Sequence, residues 1–172
     1  LAFAKKTINV NPSSHRELLE LFSSYEYDWE NLAEGIPPLV VKTLPEDLAQ
    51  IHDLKKKKRV FFLSLLPITL LANQKIQLQR EALKEIFEKI DQGRDLSPEE
   101  TIFIGDILQT YKLSGKPLTE PRQRRELLKR VDIIPPALVL AQAASESAYG
   151  TSRFSRLANN LFGEWTFIPG TG

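Results

Sequence analysis

The chain has no cysteine, no methionine and only two histidines, and it carries no surplus of either charge. Each shortage excludes something. Without cysteine there are no disulfides and no thiolate metal ligands. His15 and His52 lie too far apart to show ligand spacing, so both read as structural or exposed residues and no metal or cofactor is expected. A net charge of +1 argues neither for nor against a polyanionic partner. The basic run Lys55-Lys56-Lys57-Lys58-Arg59 has no aromatic platform or helix-turn-helix signal beside it, so it reads as a solvated face and no nucleic-acid partner is expected. The most apolar stretch, 60–72, contains Ser64 and Pro67 and falls short of the roughly 20 residues that a membrane span needs. It reads as a buried core helix, with no stable membrane insertion. Leu1 and the lack of methionine lead us to expect that the natural start, with any export signal, lies outside the sequence.

What remains is an ordinary globular mixture, 42% hydrophobic and 26% charged over 172 residues, enough for one domain or one domain with a helical extension. Nearly all of it reads as helix. Pro12-Ser13-Ser14 opens a first helix carrying Leu18, Leu19 and Phe22 at helical spacing. Residues 25–38, with Tyr25, Tyr27, Trp29 and Pro37-Pro38, read as an ordered irregular connection. The aromatics there are expected to pack the extension on the domain, with a sugar subsite as the alternative. Pro45 opens a short helix. A long helical pattern then follows the basic run to about Ile90, and Pro67 is expected to kink or break it. Ser97-Pro98-Glu99-Glu100 has the form of a capping box, and Pro121 opens a further helix whose arginines read as a surface of mixed charge. No strand pattern precedes about residue 161.

The last third differs in character. Pro135-Pro136 opens a segment apolar on nearly all sides, 137–144, which is expected to be buried all round. Polar groups come late: Gln142, Glu146 and Tyr149 fall on one helical face, and Gly150 reads as the C-cap. A carboxylate near the end of a buried helix is disfavoured in its charged form by desolvation and by the negative end of the helix dipole. A carboxylic acid kept protonated is what glycosidic cleavage requires. Glu146 is therefore a candidate general acid, with a solvated helix-end residue as the alternative reading.

Gln142-Ala143-Ala144-Ser145-Glu146-Ser147 and Asn159-Asn160-Leu161-Phe162-Gly163-Glu164-Trp165, within 134–165, resemble the signature of bacterial endo-β-N-acetylglucosaminidases, and within that family the Bax-like group. The stretch 58–73 is similar to the extension carried by that group. The resemblance implies an all-α, lysozyme-like glucosaminidase core over 117–172 and a helical N-terminal extension over 1–116. It implies hydrolysis of the β-1,4 bond after N-acetylglucosamine in peptidoglycan strands, in the periplasm or cell envelope, with no cofactor. Glu146 falls on the family's acid. Asn159 to Gly163 falls on the segment that returns beside the active-site helix. Ser147, Tyr149, Asn160, Glu164 and Trp165 are the expected substrate-binding residues. Where the family shows Gly-Trp-Gly, this chain has Ala148-Tyr149-Gly150. The second carboxylate is expected beyond Gly172, with Glu164 or the sugar's own acetamido group as alternatives. A peptidoglycan-binding scaffold without chemistry and a lytic transglycosylase remain the competing readings.

Overall fold

The computed structural model describes residues 7–113 and 118–163. The fold is mainly α, as expected. In chain order it runs β1 (Ile8–Val10), α1 (His15–Ser24), β2 (Leu39–Val41), a short 3-10 turn (Glu46–Gln50), α2 (Leu54–Asp91), α3 (Pro98–Thr110), α4 (Pro121–Arg130), α5 (Pro136–Ser147) and α6 (Arg153–Ala158). The chain groups into two compact units, one of Leu1–Leu71 with Pro135–Gly172 and one of Ala72–Ile134.

In the first unit, α1 starts where the side chain of Ser14 accepts the amide of Glu17 at 3.2 Å. Ser13 donates back to Glu17 through its amide and its hydroxyl, both at 2.7 Å, and holds that carboxyl below its usual range. His15 is structural. Its amide and Nδ1 meet the two carboxylate oxygens of Asp47 at 2.7 and 2.8 Å, which ties α1 to the 3-10 turn. The two strands were not expected. They pair in parallel, with Ile8 opposite Leu39 and Val10 opposite Val41. Three-residue strands offer too few alternations for a period of two to be read.

Helix α2 differs from expectation at the basic run, and of the kink or break expected at Pro67 the break does not occur. It begins at Leu54 because Asp53 Oδ1 accepts the amides of Lys55 and Lys56, at 2.8 and 3.2 Å, so the basic run is its first turns. It then continues through Pro67 without a break. Proline has no amide proton, so the carbonyl four residues back, that of Leu63, loses its helical donor. Tyr27 supplies one: its hydroxyl donates to Leu63 O at 3.1 Å, and its ring packs edge-on against Phe22 at 5.4 Å. Burial pushes the Tyr27 phenol well above its usual range, so it stays a donor.

The helix is long enough, and over one window apolar enough, to cross a membrane, with a mean hydropathy of 1.2. Part of its apolar surface packs inside the first unit, while Ile68 and Leu78 are exposed. Val60 and Leu63 join a core with Leu18, Phe22, Tyr27, Leu39, Leu48 and Ile51, while Phe61, Leu65 and Leu66 join Leu140, Ala143 and Ala144 of α5.

The second unit packs Leu83, Phe87, Ile107, Leu113, Leu127 and Val131 into one cluster. The capping box of α3 is present: Glu100 N meets Ser97 Oγ at 3.2 Å and Ser97 N meets Glu100 Oε2 at 2.9 Å. The arginines of α4 are not all surface residues. Arg124 is only 11% exposed; it binds Asp91 at 2.6 Å and lies over the ring of Phe87. Arg80 donates to the carbonyls of Leu128 and Val131, groups that the end of α4 leaves without helical donors.

Candidate active site

Helix α5 positions Glu146. Pro136 sits at its first turn, where a missing amide costs nothing. The helix is not buried all round. Leu140, Ala143, Ala144 and Ser147 face inward, whereas Leu138 is 58% exposed and Gln142, Ser145 and Glu146 face out. The segment looked apolar on every side because it is rich in alanine, which adds little apolar area and tolerates water. The carboxylate of Glu146 is thus exposed, and the burial expected for it is not met. Its position near the helix end is as expected.

The helix ends earlier than Gly150. Ala148, Tyr149 and Gly150 all take left-handed conformations, with φ of 50°, 57° and 76°. For each of the two non-glycine residues this costs about 1–2 kcal/mol. Local contacts offset the cost. The Tyr149 ring meets Phe61 and Phe62 edge-on, at 5.7 and 5.9 Å, and aromatic pairs contribute roughly 0.5–1.5 kcal/mol each beyond their buried area. Lys58 Nζ lies 5.1 Å from the centre of the same ring. A Cβ on Gly150 would come within 2.6 Å of Leu44 Cδ1, so both space and φ require glycine there.

This turn throws Tyr149 off the face it was expected to share with Gln142 and Glu146. Its ring is half-buried among Phe61, Phe62 and Lys58. Ser147 is also displaced from its expected role. It is fully buried, its hydroxyl donates to Ala143 O at 2.6 Å and accepts the amide of Gly150 at 2.8 Å, and it fixes the turn without meeting solvent.

The returning segment does reach Glu146. Asn159 Nδ2 donates to Lys42 O at 2.9 Å, and Leu161 packs on the cluster of Phe61, Leu140 and Ala143. Gly163, at φ +64°, then passes so close to Glu146 that a Cβ would lie 3.0 Å from Oε2 and 3.7 Å from Cδ. Asn160 is half-buried, and Phe162 is 41% exposed beside it. Glu164 and Trp165 lie outside the described residues. Arg153 and Arg156 are exposed. Among the described residues no cluster of three potential metal ligands occurs.

Sequence reasoning missed the part that α2 plays here. Phe61, Phe62 and Lys58 support Tyr149, and the only available signal was the apolar run beginning just after the lysines. It also missed Gly163 as a contact of Glu146, although the glycine stood inside the motif.

Comparison with known proteins falls on the same residues. The family model for mannosyl-glycoprotein endo-beta-N-acetylglucosaminidase, the glucosaminidase family, matches residues 122–170. Protein bax of Escherichia coli (strain K12) is 36% identical over 121 residues, which make up 67% of this chain and 43% of that relative. The chain therefore spans less than half of the relative's length. No solved structure matches it. With Glu146, Gly163 and the turn at Ala148 to Gly150 all lying in the matched region, the chain is a Bax-like member of the glucosaminidase family.

Proposed function

We propose that this chain is a peptidoglycan glycosidase that cleaves the β-1,4 bond after N-acetylglucosamine, with Glu146 as general acid. The observation that carries the reading is the approach of Gly163 to Glu146. Two separate parts of the family segment converge on one solvent-facing carboxylate, and glycine leaves open the space that a side chain would fill. In the proposed step the Glu146 carboxyl gives its proton to the glycosidic oxygen as the bond from that oxygen to the anomeric carbon breaks. The electron-deficient carbon is then met by water, deprotonated by a second carboxylate, or by the acetamido oxygen of the same sugar.

The same reading makes residues 117–172 the start of a lysozyme-like catalytic domain and 1–116 its helical extension. Asn160, Glu164 and Trp165 are proposed to contact the glycan strand, and the site of action is proposed to be the periplasm or cell envelope. Purified peptidoglycan incubated with the protein tests the acid directly. Release of reducing ends is expected, with a loss of about 100-fold or more in Glu146→Gln, the range that general-acid catalysis contributes. Equal release by both proteins would remove Glu146 from the mechanism. Binding without release by either would favour a non-catalytic scaffold.

A further inference from the structure

Outside the family segment, a cleft of about 720 Å³ opens between the connection that follows α1 and the first turns of α2. Its walls include Trp29, Glu30, Asn31, Lys55, Lys56 and Arg59. Trp29 is 42% exposed although one side of its indole is backed by Phe62, at 6.0 Å between ring centres. The indole is held in place. Asp28 Oδ1 accepts the amides of Glu30 and Asn31 at 2.9 and 2.8 Å, which locks the turn that presents it.

Arg59 meets Glu30 at 2.5 Å, with both side chains about half exposed. A pair that wet contributes little to the fold and can be exchanged for ligand contacts. Lys55 and Lys56 stand at the positive end of α2, where further positive charge is unfavourable. Asp53 accepts the amides of both and offsets part of that charge, and both lysines line the cleft.

We propose that this cleft is a further binding site for a peptidoglycan strand, with Trp29 stacking on the apolar face of a sugar ring. Glu30, Asn31 and Arg59 meet the sugar's hydroxyl and amide groups, and Lys55 and Lys56 meet the carboxylates of the lactyl group or stem peptide. Planar guanidinium and carboxylate groups around an aromatic platform suit a ring that has C–H bonds on its faces and polar groups on its rim. Phe62 packs against both the Trp29 and the Tyr149 rings, at 6.0 and 5.9 Å between ring centres. The identity of the ligand rests on the proposed glycosidase reading; the cleft and its chemistry do not.

The chain has two tryptophans, so incorporation of 5-fluorotryptophan gives two fluorine resonances, with Trp29→Phe assigning one of them. The titrant is soluble peptidoglycan strands bearing stem peptides, added to the Glu146→Gln chain so that nothing is cut. A saturable shift of the Trp29 resonance is expected, with binding weakened about tenfold by Trp29→Ala and also weakened by Lys55→Gln with Lys56→Gln. No shift of Trp29 while Trp165 responds, or while the unaltered protein cleaves the strands, overturns the site and leaves the glycosidase reading standing. A shift without any cleavage by the unaltered protein upholds the site and defeats the glycosidase reading. An equal shift with dextran sulfate, and none with a neutral N-acetylglucosamine oligomer, reduces the site to a patch of charge and overturns the proposal.

Discussion

Replacing Tyr27 with phenylalanine removes one oxygen atom and leaves the carbonyl of Leu63 inside the core with no donor, because Pro67 cannot supply one. A buried carbonyl stripped of its partner costs about 1–3 kcal/mol, more than the net worth of an ordinary hydrogen bond. The size of the loss should depend on residue 67. In a Pro67→Ala background the new amide of residue 67 donates to Leu63 O within the helix, so Tyr27→Phe should then cost only about 0.5–1 kcal/mol. Urea unfolding of the four proteins, followed by tryptophan fluorescence, gives the cycle directly. In the Pro67 background a thermal shift of roughly 2–4 °C for each kcal/mol accompanies the loss. If Tyr27→Phe costs the same in both backgrounds to within about 0.5 kcal/mol, the two sites are independent, and the idea that Tyr27 replaces the missing helical donor is wrong.

Other substitutions test the turn, the site and the caps. Ala148→Gly relieves one left-handed alanine and should raise stability by about 1 kcal/mol in the same urea titration, while a decrease would contradict the strain argument. Gly163→Ala should lower cleavage of peptidoglycan about 100-fold through displacement of the Glu146 carboxylate. The left-handed backbone at Gly163 should also cost the alanine about 1–2 kcal/mol in the urea titration, and activity equal to the parent would show that the close approach is incidental. Glu100 is held below its usual range first by the hydrogen bond from Lys89 and then by the amide of Ser97. Its contribution is therefore complete above the ordinary value of 4.5 and is lost as pH falls from there through the lower folded value. Thermal unfolding across pH 3–6 should show that loss in the parent and a shallower one in Glu100→Gln.

Local signals were legible where a side chain finishes a helix. Ser14 and the Ser97–Glu100 box mark the starts of α1 and α3, and the proline pair marks the start of α5, because capping is decided by residues next to one another. The return of residues 159–163 to Glu146 was legible through family resemblance, before the contact of Gly163 with that carboxylate was known. What could not be read depends on partners distant in sequence. The unbroken helix at Pro67 rests on Tyr27, forty residues earlier in the chain; the buried charge of Arg124 rests on Asp91; and the orientation of Tyr149 rests on Phe61 and Phe62. The expected burial of α5 failed for another reason: periodicity counts apolar positions, not apolar area, and alanine contributes little of it.

The central claim is that Glu146 cuts the strand on the reducing side of N-acetylglucosamine, and the identity of the new chain end tests it most directly. Peptidoglycan treated with the protein is reduced with borohydride, hydrolysed in acid and analysed for sugar alcohols by mass. Accumulation of glucosaminitol, absent when Glu146→Gln is used, is the predicted result. Accumulation of muramitol or of anhydro-sugar ends, or the same products from both proteins, would contradict it.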